Sequence, residues 1–321
     1  MLNNILFDLS LLPLVITLVL LGIFALYLIF SLIITYVIFK KSFGRRDKIA
    51  SESNPAYNKY QDVLKEGAEY FFSLNPKEVT ITSFDNLKLY GLFYENPNSR
   101  GTIIFMHGYH GEPTKDFGPV LKHFKELGFS LLLPDQRAHG KSEGKYLTFG
   151  VKESKDCLHW AKFIAEKYPN RSISLHGISM GGATVGMASA LSDLPKEVKL
   201  IANDCGFTSP DAIISSVRKG MKFPFFPFQP FIRLYARIFA KFSLKENSAT
   251  ACYAKSKIPA LFIHGEADDF IPYSMGLENY ESSIATDKVM ISVKDAGHAL
   301  AYITNTQRVK KELTEFYLKH M

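Results

Sequence analysis

Residues 173–183 read Ile-Ser-Leu-His-Gly-Ile-Ser-Met-Gly-Gly-Ala, and this stretch decides the fold. Four residues of strand character, Ile173 to His176, run into Gly177-Ile178-Ser179-Met180-Gly181, a G-x-S-x-G. The pattern predicts a strand turning abruptly into a helix with Ser179 at the apex. Such an apex is backbone-strained, so the residues two before and two after it must be nearly free of side chain. The hydroxyl is then held at the top of a sheet, beside the positive end of a helix. The pentapeptide alone occurs by chance. The apolar strand before it and the small residues after it (Gly182, Ala183, Ala188, Ala190) narrow the reading, and the rest of the chain decides it.

At 321 residues the chain has room for one large α/β domain and something more. The addition lies at the front. Leu9 to Phe39 contains no charged residue and is mostly Leu, Ile, Val, Phe and Tyr. A hydrocarbon core of roughly 30 Å needs about 20 such residues as helix, so the run predicts a single retained transmembrane anchor. MLNNILFDLS lacks the basic start of a cleaved signal peptide. Lys40, Lys41, Arg45, Arg46 and Lys48 follow the run and only Asp8 precedes it, which predicts a catalytic domain on the cytoplasmic side, with the basic cluster near anionic headgroups. Of 38 Lys and Arg and 31 Asp and Glu, residues 1–48 hold five and two. That leaves a nearly balanced 33 against 29, which gives no case for nucleic acid. Cys157, Cys205 and Cys252 have no paired or metal-type spacing, as suits a reducing compartment.

The division expected is an anchor with basic flank over 1–48, a linker and juxtamembrane helix over 49–77, and a catalytic domain over 78–321. Residues 51–60 read as linker and 60–72 as a helix near the membrane. Glu78–Thr82 and Leu87–Tyr94 alternate around Asp85-Asn86, a hairpin pattern. The buried run GTIIFM (101–106) opens a repeated strand–loop–helix rhythm, the mark of a mostly parallel sheet covered on both faces. Between Phe207 and Thr250 the rhythm fails. KFPFFPFQPF (222–231), followed by Arg233, Arg237 and Lys241, predicts a helical cap insertion at about 208–250. Its aromatics are either the insertion's own core, or a lid that binds an acyl or aromatic group or dips into a membrane surface.

A serine hydroxyl needs a base, and the base an orienting acid. After the strand ALFIHG come Glu266, Ala267, Asp268 and Asp269, and after VMISV come Lys294, Asp295, Ala296, Gly297 and His298. Ser179, Asp268 and His298 each stand just past a strand, where loops at one edge of a parallel sheet converge. Asp269 and Asp204 are rival acids. His107-Gly108-Tyr109-His110-Gly111 follows GTIIFM, and the expected oxyanion donors are the amides of Tyr109 and Met180. His107 and His110 read as loop-holding residues. In DQRAHGKS, Asp135 and Arg137 are expected to satisfy backbone groups, with His139 not the base.

The set HGYHG, DQRAHGKS, GISMGG, HGEADDFIP and DAGHA resembles the α/β-hydrolase superfamily, in particular its membrane-anchored bacterial relatives of the serine aminopeptidase and acyl-hydrolase type. The resemblance covers about residues 78–320. It implies an α/β-hydrolase fold: a mostly parallel sheet of about eight strands with flanking helices and a cap after the sixth strand. It carries over Ser179 as nucleophile, His298 as general base then acid, and Asp268 as orienter. Ala138 stands where the family usually has Gly, expected to be harmless, and the cap matches no specificity class. The activity implied is hydrolysis of a carboxylic ester of a small or lipid-like acyl substrate through an acyl-enzyme, with no cofactor and no metal. A peptide or thioester bond would use the same parts. A silent binding protein on this fold, or acyl transfer at the membrane, are the other classes.

Overall fold

Eight strands form one sheet in the order β1-β2-β4-β3-β5-β6-β7-β8. They are β1 Lys77–Thr82, β2 Lys88–Tyr94, β3 Thr102–Met106, β4 Ser130–Pro134, β5 Ile173–Ile178, β6 Val198–Asp204, β7 Ala260–Gly265 and β8 Lys288–Val293. The computed structural model describes residues 11–45 and 59–321, so Asp8, Arg46, Lys48 and most of the expected linker lie outside the described residues. β1 and β2 form the expected hairpin, and β2 pairs antiparallel with β4; every later pairing is parallel. The hairpin turn has Asn86 at φ 65°, and Ser83 Oγ accepts the Leu87 amide at 2.9 Å.

The strand sequences account for their positions. β2 alternates buried and less buried residues, as a strand near the edge does, whereas β3, β4, β5 and β7 are buried at every position. Within β3, Ile103 and Phe105 face one core with Leu131 and Leu133, and Ile104 and Met106 face the other with Leu132. Helices α3 (Gly118–Glu126) and α10 (Thr306–His320) cover the first face. The second is covered by α4 (Val151–Lys167), α5 (Met180–Ala188) and α8 (Ala249–Tyr253).

The chain goes from β3 outward to β4, then crosses back to β5 on β3's other side. At such a reversal the loops leaving β3 and β5 diverge and open a crevice at the carboxyl edge. Those two loops are HGYHG and the serine turn.

Ahead of the sheet, α1 (Leu12–Phe43) is a 32-residue helix long and apolar enough to cross a membrane. Its last turns are built into the domain: Phe39 and Phe43 are buried, Leu147 N–H donates to the Phe43 carbonyl, and Gly44 bridges Tyr146. Helix α2 (Gln61–Ser73), expected in a juxtamembrane segment outside the catalytic domain, is instead part of it. Phe71 is in the core, and a Cβ on Gly67 would lie 2.3 Å from the Gly118 backbone, so α2 and α3 touch main chain to main chain.

The insertion after β6 is helical, as expected: α6 (Pro210–Gly220), α7 (Phe228–Tyr235) and a π-turn over Ala236–Ala240. It packs against α1 and shares a core with Phe39, Phe43, Phe149 and Met180. Helix α9 (Tyr273–Ser282) completes the far edge.

Candidate active site

β5 ends on Ile178, and α5 starts on Met180, leaving Ser179 alone at the turn with φ 57° and ψ −117°. The two flanking glycines are forced by contact. A Cβ on Gly177 would stand 2.0 Å from the Gly181 carbonyl oxygen, and one on Gly181 would stand 1.7 Å from that of Met106. The strained serine is held by its own N–H, which donates to the Asp204 carbonyl at 2.8 Å.

His298 sits in the loop after β8 and joins Ser179 and Asp268, which are 89 positions apart in the chain. Ser179 Oγ lies 2.9 Å from His298 Nε2, and His298 Nδ1 lies 2.7 Å from Asp268 Oδ2. A carboxylate only accepts, so Nδ1 carries the proton and Nε2 is left to accept from the serine. Asp268 Oδ1 accepts the amides of Phe270 (2.9 Å) and Ile271 (2.8 Å), and His264 Nε2 stands 3.3 Å from Oδ2. Burial works to raise the Asp268 pKa. Hydrogen bonds from His264 and His298 and from the Ile271 amide outweigh it and hold the carboxyl well below its usual range.

The rival acids are elsewhere. Asp269 is exposed. Asp204 lends the site its carbonyl, while its carboxyl lines the cavity with Oδ1 lacking a hydrogen bond; burial pushes its pKa up to about 6.

The loop after β3 runs against the serine: a Cβ on Gly108 would lie 3.4 Å from Ser179 Cβ. Asp116 fixes this loop, its Oδ2 accepting the Gly108 amide at 2.8 Å, and burial lifts its pKa to about 6. The Tyr109 ring stacks on Phe149 at 5.6 Å, and its hydroxyl donates to the Ser42 carbonyl at the end of α1, 2.9 Å away. The long apolar helix therefore touches the loop that runs against the reactive serine.

His107 and His139 hold loops. His107 Nε2 accepts the Gln136 amide and Nδ1–H donates to the Gly108 carbonyl, and burial keeps its pKa well below the usual value. His139 accepts the His110 amide and donates to the Arg137 carbonyl. Two expectations for this region need correction. Asp135 does accept a backbone amide, that of Lys141, but Arg137 bridges two carboxylates, Asp156 at 2.6 Å and Asp85 at 2.9 Å, and so ties the β1–β2 turn to α4. Ala138 has φ 61°, a left-handed conformation that glycine adopts freely and alanine at a cost of about 1 kcal/mol, so this departure from the family pattern is strained rather than neutral.

A cavity of about 650 Å³ opens at Ser179 and His298. Phe117, Val120, Tyr302, Ile303, Val309 and Leu313 give it apolar walls, with Gln61, Lys65 and Glu112 toward the α2 side. Among the described residues, none from the insertion lines it. The cavity is walled instead by α2, α3 and the C-terminal helices, which the sequence did not mark as pocket-forming. His264 was also missed, although its place four residues before Asp268 on the same strand end was a readable signal.

Cys205, Asp268 and His298 bring possible ligand atoms within 4.8 Å of one another. Asp268 and His298 already bind each other, and burial pushes the Cys205 thiol far from its thiolate form, so this donor set fits a hydrogen-bonded relay better than a cation.

The family model for serine aminopeptidase, S33, matches residues 97–222. The uncharacterized protein YqkD of Bacillus subtilis is 28% identical over 268 residues, covering 80% of this chain and 86% of its own. The Pyrococcus furiosus esterase Pf2001 superposes with a TM-score of 0.64 at 26% identity, over 78% of this chain and 94% of the esterase. The chain belongs to the α/β-hydrolase superfamily. Another relative of this hydrolase, the uncharacterized membrane protein YNL320W of Saccharomyces cerevisiae, is 23% identical over 69% of this chain and 73% of its own.

Proposed function

We propose that this α/β hydrolase is a membrane-anchored serine hydrolase that cleaves a carboxylic ester of a lipid-like or small acyl substrate. The observation that carries the reading is the unbroken hydrogen-bond relay Asp268–His298–Ser179 at the mouth of an apolar cavity. Ser179 Oγ attacks the acyl carbon while its proton passes to His298 Nε2, and Asp268 stabilises the imidazolium that forms. The amides of Tyr109 and Met180 take the negative charge on the former carbonyl oxygen. The tetrahedral adduct collapses, the alcohol leaves with the proton from His298, and the acyl group stays on Ser179. Water, deprotonated by His298, then releases the acid and restores the serine.

An ester of an apolar acid is preferred over a peptide because Phe117, Val120, Ile303, Val309 and Leu313 give the cavity hydrocarbon walls, while Glu112 and Lys115, which also line it, are paired with each other at 2.7 Å. The apolar run of α1 supports an anchor, and Lys40, Lys41 and Arg45 after it support a cytoplasmic domain.

The test is a series of p-nitrophenyl esters of rising chain length. Each methylene entering the cavity contributes at most about 0.8 kcal/mol, so kcat/KM should rise by up to about fourfold per CH₂ until the cavity is full. Ser179→Ala should lower kcat by about 10³-fold or more. A flat chain-length profile, or an alanine variant as active as the wild type, contradicts the proposal.

A further inference from the structure

The insertion takes no part in the cavity, and its outer face is not that of a domain surrounded by water. Phe225, Phe226, Leu234, Ile238 and Phe239 are all exposed there, the first two at 53% each. Residues 208–250 carry seven Lys and Arg against two acids, and Lys219, Lys222, Arg237, Lys241 and Lys245 are exposed between and beside the apolar positions. Arg218 and Arg233 lie over the Phe225 ring at 5.6 and 5.9 Å. Exposed aromatic and aliphatic side chains framed by cations match the boundary of an anionic bilayer, where rings enter the acyl region and cations meet phosphate.

The position of this face along α1 makes the match specific. The Tyr27 hydroxyl donates to the Phe226 carbonyl at 3.3 Å, and the Tyr235 hydroxyl donates to the Leu32 carbonyl at 2.8 Å. Tyr36 packs on Tyr235 and Phe239 at 5.5 and 5.3 Å. At 1.5 Å of rise per residue, a hydrocarbon core of about 30 Å takes up about 20 residues of helix. Asp8 prevents the span from starting much before Leu9, so a span begun there ends at about Leu28, and one begun at Leu12 ends at about Ser31. Tyr27 lies inside either span, which sets Phe226 at the last turn of hydrocarbon and Tyr235 at headgroup level. Sliding α1 further toward Phe39, as a tilt would allow, takes the insertion deeper. Every placement that keeps α1 across the membrane carries the insertion's tip into lipid.

We propose that residues 217–241 form a second membrane contact, seated in the bilayer interface beside α1. Phe225, Phe226, Leu234, Ile238 and Phe239 enter the acyl region, and the flanking Lys and Arg side chains meet anionic headgroups. The proposal rests on α1 spanning the membrane. Two contacts at different points fix the tilt of the catalytic domain, where a single helix would leave it free to swing. The insertion is thus a docking platform rather than the roof of the cavity.

The test uses the full chain in vesicles of phosphatidylcholine and phosphatidylglycerol. An environment-sensitive nitrobenzoxadiazole probe is attached through one introduced cysteine at a time; Cys157, Cys205 and Cys252 are buried. The sites are Phe226→Cys, its neighbour Phe225→Cys, Leu20→Cys within the apolar span and Ser192→Cys on the far side of the sheet. The readout is quenching by lipids spin-labelled at shallow and deep positions. The proposal expects the probes at 225 and 226 to be quenched severalfold more by shallow lipids than the probe at 192, with the probe at 20 quenched by deep ones. Quenching at 20 with none above the 192 level at 225 or 226 overturns the second contact and leaves the anchor standing. No quenching at 20 overturns the anchor, and the second contact with it.

Discussion

Asp204 shows how one residue can look catalytic in sequence and do something else in space. It ends β6 just beyond the serine helix, a place from which an acid could reach His298. The structure gives that contact to Asp268 and leaves the Asp204 carboxyl buried with one oxygen lacking a hydrogen bond. Burial raises its pKa from 3.8 to about 6, so the folded protein holds this proton more tightly than the unfolded chain. The sign follows: the contribution is fully present below pH 4, is lost as pH rises through 6, and amounts to about 3 kcal/mol at most. Asp204→Asn cannot ionise. Its melting temperature should therefore fall less between pH 4.5 and pH 8 than that of the wild type, by thermal denaturation at both values. Identical pH dependence in the two proteins would mean that Asp204 is solvated in a way the structure does not show.

At the scale of elements, the contact that matters most is between α1 and the loop after β3. Ser42, in the last turn of α1, accepts a hydrogen bond from the Tyr109 hydroxyl, and the Phe43 and Phe149 rings meet at 4.9 Å beneath it. A helix that merely tethered the domain would need no such contact. Tyr109→Phe deletes the hydroxyl and leaves the ring on Phe149. A hydrogen bond of this kind is worth about 0.5–1.5 kcal/mol, so if it steadies the Tyr109 amide against the oxyanion, kcat should fall about two- to tenfold with KM little changed. Steady-state kinetics on a soluble ester read both constants. An unchanged kcat would reduce the contact to packing.

For the molecule as a whole, the sheet was legible because its signals are local. Apolar runs mark β3, β4 and β7, the G-x-S-x-G marks the end of β5, and the alternation around Asp85-Asn86 marks the hairpin. The order Ser179, Asp268, His298 was legible because each residue falls within five residues of a strand's carboxyl end. The cavity was not legible. Its walls come from α2, α3 and the C-terminal helices, elements whose sequences read as ordinary amphipathic helices, and only tertiary packing turns one of their faces toward Ser179. The insertion was legible only as a set of alternatives: KFPFFPFQPF announces apolar surface that could be its own core, an acyl-binding lid or a membrane contact, and its packing against α1, away from the cavity, is what favours the last.

Every step of the proposed reaction depends on Ser179 being an activated nucleophile. The most direct measurement is the mass-spectrometric mapping of a fluorophosphonate adduct on the full-length protein in detergent or bilayer, wild type beside Ser179→Ala. One covalent adduct is expected, on the peptide containing Ser179, absent from the alanine variant. A folded wild-type protein that takes no adduct, or one labelled at another residue, would contradict it.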